Sequence, residues 1–429
     1  MILLLLSVLA VVYVSAVWLF ARNFLLAWIC ILAINFLNYA FGADTIFIAG
    51  LHIAPLDLMY LGLISAWVVR SRLYALKIAP LSIITIGYLL LFALSAGRGI
   101  VLFGLTEVGN EARGLMSEVL AFTYFVTIPH DKKTVKKVVV AYIVYSAALI
   151  AVCAAHYAGL PVGGTLGVAK DLVLSGNVLD RGIPASGAAS MELAVLFAAS
   201  WVIYRKHSRW LTALVAVSLP LLVILQHRSV WAMLAITVLA AMFIDRPVSK
   251  FVLKIGAAAV AVGLVLSLPS IGARQQILGE LHESATNSDT LQWRFEAWQR
   301  SITQDQSPLT TLIGLPVGSG YLRLDSSAGG YTNFQPHNEF INQYLRVGLI
   351  GTALMILFLL RPLYFYFRYP KSGALLYPTP ASWILVSIGT IVFCFPYSAA
   401  FDGIALIAMA NGLIDAPPIS SPIAANQRP

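Results

Sequence analysis

Charge is scarce in this chain. Only 11% of its 429 residues are Asp, Glu, Lys or Arg, where a soluble domain carries roughly 25%. Acids are the scarcer sign, 19 against 28 Lys and Arg. So little charge excludes an ordinary soluble surface, and 59% hydrophobic residues with a mean hydropathy of +0.83 put the chain in a bilayer. Cysteine is nearly absent: Cys30, Cys153 and Cys394 each lie in an apolar run, which excludes a disulfide framework and a cysteine metal-ligand spacing. Asp-x-Asp, His-Glu-x-x-His and phosphate-loop motifs are missing too, so nothing in the sequence requires a metal or another cofactor. No repeat of fixed period is visible, and the polar tail Ser420–Pro429 is the one low-complexity tract.

What is present is a succession of apolar runs. Runs of about 17–25 residues are long enough to span a bilayer. They fall at roughly 1–20, 24–40, 46–69, 78–96, 114–129, 137–158, 187–204, 210–226, 229–244, 251–269, 339–367 and 381–400, with a short half-span at 401–415. The first has no basic n-region and no small-residue cleavage site, and reads as a retained span. The expected fold is therefore all-α and polytopic, with about 12 transmembrane helices. Residues 1–269 form the first part of the bundle, 270–338 an external loop, and 339–429 the last helices and a short tail.

The formal net charge of +9 has an explanation other than nucleic acid. Lys and Arg cluster on alternate connections: Arg22; Arg70, Arg72 and Lys77; Lys132, Lys133, Lys136 and Lys137; Arg205, Lys206 and Arg209; Arg246, Lys250 and Lys254; Arg361, Arg368 and Lys371. That alternation is what the positive-inside rule produces. It makes those connections cytoplasmic and puts the N-terminus and the 270–338 loop outside.

The stretch from Pro269 to about Gly351 is unlike the rest. A polar, irregular segment leads through a glycine-rich region, Gly314 to Gly330, to Pro336-His337-Asn338-Glu339 at the start of an apolar helix. Long loops in compact proteins are functional or disordered, and the Trp and Arg content argues against disorder. Four outward segments carry Arg or His: Asp180-Arg181-Gly182, Gln226-His227-Arg228-Ser229-Val230-Trp231, Trp293-Arg294-Phe295-Glu296-Ala297-Trp298 and Pro336-His337-Asn338. Two readings compete for Arg181 and Arg228, snorkelling to lipid headgroups and a bidentate grip on phosphate. Arg294 divides between a phosphate ligand and the solvated face of an amphipathic helix. His337 precedes a helix N-terminus, where the dipole disfavours imidazolium and leaves a neutral ring able to take a proton; the competing reading is a residue that caps or packs. Gly348 and Gly351 predict close approach of a neighbouring helix. Glu192 lies within reach of the same face, Asp57 near the surface, and Glu107, Glu111 and Glu118 read as a solvated rim. His227, His282, His52 and His156 read as structural.

Arg228 to Trp231, Arg294 to Trp298, the glycine-rich stretch, and His337-Asn338 followed by Gly348 and Gly351 together resemble the O-antigen ligase superfamily, which includes polysaccharide polymerases. The likeness covers roughly residues 175–360. The chain departs from that pattern at Ala188-Ala189-Ser190, where Asn-Pro-Asn is frequent, and at His227-Arg228-Ser229, where Ser-Arg-Gly is frequent. The resemblance implies a metal-independent, inverting glycosyltransferase of the bacterial inner membrane. Its donor would be an undecaprenyl-diphosphate-linked glycan and its acceptor a glycan or glycolipid at the periplasmic face. His337 would be the base, Arg181, Arg228 and Arg294 the diphosphate ligands, and Trp293, Trp298 and Asn338 glycan contacts. A transporter or flippase of lipid-linked oligosaccharide would need cations as well, distributed through both halves of the chain. Here they gather at one face beside a candidate base.

The charge pattern makes a direct prediction. A cysteine at Ser288, in a chain lacking Cys30, Cys153 and Cys394, reacts with an impermeant thiol reagent in cells whose outer membrane alone is permeabilised. Reaction only after the inner membrane is lysed would invert the topology.

Overall fold

A computed structural model describes residues 2–42, 46–48, 51–74, 82–163, 182–205, 207–225, 227–266, 289–303, 307–321, 323–325, 330–332, 335–369 and 376–414. Its helices are α1 (Ile2–Arg22), α2 (Phe24–Phe41), α3 (Pro55–Tyr74), α4 (Ser82–Phe103), α5 (Leu105–Ala112), α6 (Met116–Phe122), α7 (Lys132–Tyr157) and α8 (Ala185–Tyr204). They continue with α9 (Arg209–Ile224), α10 (Arg228–Ile244), α11 (Arg246–Leu266), α12 (Asp289–Thr303), α13 (Pro308–Ile313), α14 (Glu339–Arg368), α15 (Pro380–Cys394) and α16 (Phe401–Ile414). Strand among the described residues amounts to two antiparallel ladders, Ile46–Ile48 with Leu51–Ile53 and Arg323–Asp325 with Gly330–Thr332. The protein is all-α in class.

Polar residues in the short connections start the helices. Asn23, Asp131, Ser208, Asn338 and Thr379 each accept a hydrogen bond from a backbone N–H of the turn that follows, which satisfies a donor that the helix leaves orphaned. Among the described residues, five helices are long and apolar enough to cross a membrane: Phe24–Phe41, Ile83–Phe103, Lys132–Tyr157, Ala185–Tyr204 and Glu339–Arg368. Shorter apolar helices lie at Ala10–Arg22, Arg209–Ile224, Arg228–Ile244, Pro380–Cys394 and Phe401–Ile414. At the centre is α8, buried without interruption from Gly187 to Ser200. Its run of Ala, Ser and Gly lets neighbours approach closely, and α7, α9, α10, α11 and α15 pack around it.

The connections sort to two ends. At one, Arg205 donates two bonds to the Pro378 carbonyl at 3.0 and 2.7 Å, and Lys136 lies over the Trp201 ring at 5.5 Å. The Tyr204 hydroxyl donates to Asp245 at 2.6 Å there, and Arg70 joins the carbonyls of Ala21 and Thr127. At the other end Gly163 bonds Ala40, Arg113 pairs with Asp57 at 2.7 Å, and Glu339 bonds Tyr397 through the backbone. Among the described residues, Arg70, Lys136, Arg205 and the start of α11 thus share one end of the bundle.

Three expectations change. The span expected at 46–69 is a ladder over 46–53 followed by α3; a short apolar run does not separate strand from helix by periodicity. The span expected at 114–129 is broken into a 3₁₀ turn at Arg113–Leu115, the seven-residue α6 and another turn at Phe125–Thr127, with the Thr123 hydroxyl donating back to the Val119 carbonyl where α6 ends. The 270–338 segment is not structureless where it is described, since α12, α13 and a ladder lie within it.

Gly348 admits a close neighbour, as expected, and also interrupts its own helix. It breaks α14 into 339–347 and 349–368, with φ 69° and ψ −173°, a region essentially restricted to glycine. A Cβ there would overlap the Leu312 carbonyl and the Ile313 nitrogen, so what approaches is the end of α13 and not a spanning helix. Gly314, φ 85°, reciprocates against the backbone of Arg346 and Val347. Gly348→Ala is therefore expected to cost about 1–3 kcal/mol, read as a lower apparent melting temperature by thermal size-exclusion. Gly97→Ala, where a Cβ meets nothing within 4 Å, is the neutral control; equal melting of the two variants would remove the constraint.

Candidate functional site

The site forms where α14 begins. Asn338 is buried and its Oδ1 accepts from the Ile341 N–H at 3.1 Å, so the residue expected to contact glycan serves as the helix cap. Glu339 follows, fully buried. Its Oε1 accepts from Asn342 Nδ2 at 3.1 Å and Gln343 Nε2 at 2.8 Å, and its Oε2 from the Ala399 N–H at 2.9 Å. Those bonds fix the first turn of α14 to residues 395–400, the turn between α15 and α16. The half-buried His337 ring stands 5.5 Å from the Tyr397 ring. The Arg294 guanidinium, carried in from α12, lies 5.0 Å over the same ring, and its Nη1 donates to the Pro396 carbonyl at 3.1 Å. Tyr397 is itself stacked on Phe393 at 5.3 Å. Two of the expected site residues are thereby brought together, on one aromatic ring.

Behind this pair lies a polar network within the protein. Tyr88 of α4 donates to Gln343 at 2.7 Å, and Tyr321 donates to Asn342 at 2.6 Å. Burial pushes the Tyr321 hydroxyl up to about 12, so it remains a donor through the physiological range. Arg346, fully buried, is ion-paired with Glu111, donates to Ser319 and to the Gly320 carbonyl at 2.7 Å each, and covers the Tyr321 ring at 4.0 Å. Glu111 also accepts from the Gly320 N–H at 2.9 Å. Burial pushes its carboxyl up, against the opposing pull of Arg346 and of backbone amides. Glu118 is buried beneath α14 and meets Glu339 carboxyl to carboxyl.

The remaining candidates are more dispersed. Arg228 is exposed at the first position of α10. Its neighbour His227 is buried, with Nε2 3.0 Å from the Ile183 carbonyl, which joins the segment after Arg181 to the turn before Arg228 and fits the structural reading of His227. Arg181, His282 and the Trp293 side chain lie outside the described residues. Trp298 is half-buried against Tyr321, Ile341 and Leu345, so it packs α12 onto α14. Glu192 is enclosed mid-bundle, accepting from Thr237 at 2.9 Å. Asp57 lies in the first turn of α3, where it accepts from the Ala54 N–H and pairs with Arg113.

The rim reading holds for exposed Glu107 and fails for Glu111 and Glu118, because each has a buried partner that sequence spacing does not reveal. Arg346, Tyr397 and the Asn342–Gln343 pair were missed altogether. A signal existed: Glu339, Asn342, Gln343 and Arg346 fall at i, i+3, i+4 and i+7, a single polar face at helical period in an otherwise apolar helix. Neither a protein-family model nor a curated protein matches the chain.

Removing one partner of a buried ion pair strands the other charge and costs about 3–5 kcal/mol. Glu111→Gln should accordingly lower the apparent melting temperature sharply. Adding Arg346→Met to it should recover most of the loss, since the stranded charge is then gone. A single variant as stable as the native protein would mean that solvent reaches Arg346.

Proposed function

We propose that the chain is a membrane glycosyltransferase of the O-antigen ligase type, with about 12 transmembrane helices and the end that carries His337 facing the periplasm. It transfers a glycan from undecaprenyl diphosphate to a sugar hydroxyl of a second glycan or glycolipid, as a ligase or a polymerase. The observation that carries this reading is the convergence of His337 and Arg294 on Tyr397, at the end of the bundle away from the lysine-rich connections.

The chemistry follows from the groups. His337 accepts the proton of the acceptor hydroxyl while that oxygen bonds to the anomeric carbon. The bond from that carbon to the diphosphate oxygen breaks, and undecaprenyl diphosphate leaves with the electron pair. Charge grows on the departing oxygens, where guanidinium groups stabilise it most effectively away from water. Arg294 is the arginine held beside the base; Arg228 and Arg181 lie on segments joined by the bond of His227 to Ile183. Attack from the face opposite the leaving group inverts the anomeric centre, and no metal ion takes part. The Asn338 cap and the Glu339 anchor keep the base at a fixed distance from the turn that Arg294 grips.

The test is a transfer assay with purified protein, radiolabelled lipid-linked glycan, and either lipid A core or a second lipid-linked repeat as acceptor. His337→Ala and His337→Gln should both transfer at least ~10²-fold more slowly while still binding donor. Arg228→Lys and Arg294→Lys, which keep charge and lose the fork, should fall between native and the alanine variants. Native-rate transfer by His337→Ala would leave the mechanism without a base. Passage of donor across proteoliposomes with no new glycosidic bond would make the protein a carrier.

A further inference from the structure

A further cavity is lined by none of the candidate site residues. It is an open groove of about 690 Å³ between α2 and α7, walled by apolar side chains that include Ile29, Phe36 and Val144. Lys133, Lys136 and Lys137 line it at the basic end of the bundle. Both helices are long and apolar enough to cross a membrane, and they run parallel, with Trp28 donating to the Val138 carbonyl at 3.2 Å. Along α7 the lining runs from Lys133 to Ala148, about 22 Å at 1.5 Å per residue. One leaflet of a bilayer, headgroups included, is about 20–22 Å deep. Lys136 is oriented by its contacts with the Trp201 and Tyr377 rings at 5.5 and 6.0 Å. The N-terminus of α7 adds the positive end of a helix dipole on the same side; Asp131, the acid there, is bonded to the Thr134 N–H as the helix cap.

We infer that this groove holds one anionic phospholipid, its acyl chain along α2 and α7 and its phosphate at Lys133, Lys136 and Lys137. The inference rests on α2 and α7 spanning a bilayer and is independent of the transferase reading. Three cations at one end of an apolar trough one leaflet long match an amphiphile with a single negative head. A soluble partner would have no use for a wall of exposed Ile and Val, and the electroneutral head of phosphatidylcholine would leave the lysines uncompensated. Basic pockets between spanning helices on the cytoplasmic side recognise anionic headgroups in this way.

The experiment is native mass spectrometry of the full chain released from nanodiscs of equimolar phosphatidylglycerol and phosphatidylcholine. The native protein should retain one phosphatidylglycerol in preference to phosphatidylcholine. The Lys133→Gln, Lys136→Gln, Lys137→Gln triple variant should lower that retention at least ~10-fold, each lysine near an anionic surface contributing several-fold. Ala33→Trp, which keeps every lysine and fills the groove, should lower it as much; Ala33 is exposed in the groove wall, so this variant tests the site without disturbing the core. Loss in the lysine variant alone would make the effect a diffuse surface charge and overturn the groove. Equal retention of the two lipids by the native protein, a co-purifying polyprenyl lipid in that position, or undiminished retention in both variants would overturn it as well.

Discussion

The structure depends on one polar helix face that must be satisfied from inside the protein. Glu339, Asn342, Gln343 and Arg346 project from the first two turns of α14, and all four are buried. Buried polar groups without partners cost several kcal/mol in an apolar medium, so each of these side chains commits another element to a place. Glu339 takes the Ala399 amide, Gln343 takes Tyr88 of α4, Asn342 takes Tyr321, and Arg346 takes Glu111 with Ser319 and Gly320. Apolar packing would hold these elements near one another. Only the bonds fix their register.

That constraint produces the rest of the site. Once Gly320 and Tyr321 are tied to α14, the chain from α13 must pass α14 at backbone distance, and Gly314 and Gly348 are the two positions without side chains that make the crossing possible. The crossing coincides with the break in α14. On the other side, the anchor from Glu339 to Ala399 holds Tyr397 against His337, and the Pro396 carbonyl becomes the acceptor for Arg294. His337 and the Arg294 guanidinium, carried by different elements, then share one ring.

The sequence made the class, the apolar runs and the partition of connections readable because each is a local property of composition. Lys136 and Arg205 lie together at one end of the bundle, as the charge pattern expected. His337 and Arg294 were legible as residue types out of place. Their meeting was not, since it runs through Tyr397, a residue with no local oddity. Glu111 and Glu118 were misread for the same reason: an acid near a helix end has the same sequence neighbourhood whether water or Arg346 faces it. The breaks at Thr123 and Gly348 escaped because hydropathy averages over them, although Gly348 is a position where only glycine fits.

Helix lengths and shared contacts bear on where the break in α14 falls. With 15 and 14 residues, α15 and α16 extend about 22 and 21 Å, short of the roughly 30 Å of hydrocarbon in a bilayer. Their far ends are fixed at the basic end, where Arg205 bonds Pro378 and Arg361 bonds Asn411. Glu339 meets the turn at 395–400 between them at Ala399, and Arg361 meets α16 at Asn411. Between those shared points α14 runs about 22 residues, some 33 Å as helix, while the partner segment runs about 12, some 18 Å. The break at Gly348, where two helical segments meet at a kink, falls between those two contacts. The turn that Glu339 grips also carries Pro396 and Tyr397, the contacts of Arg294 and His337.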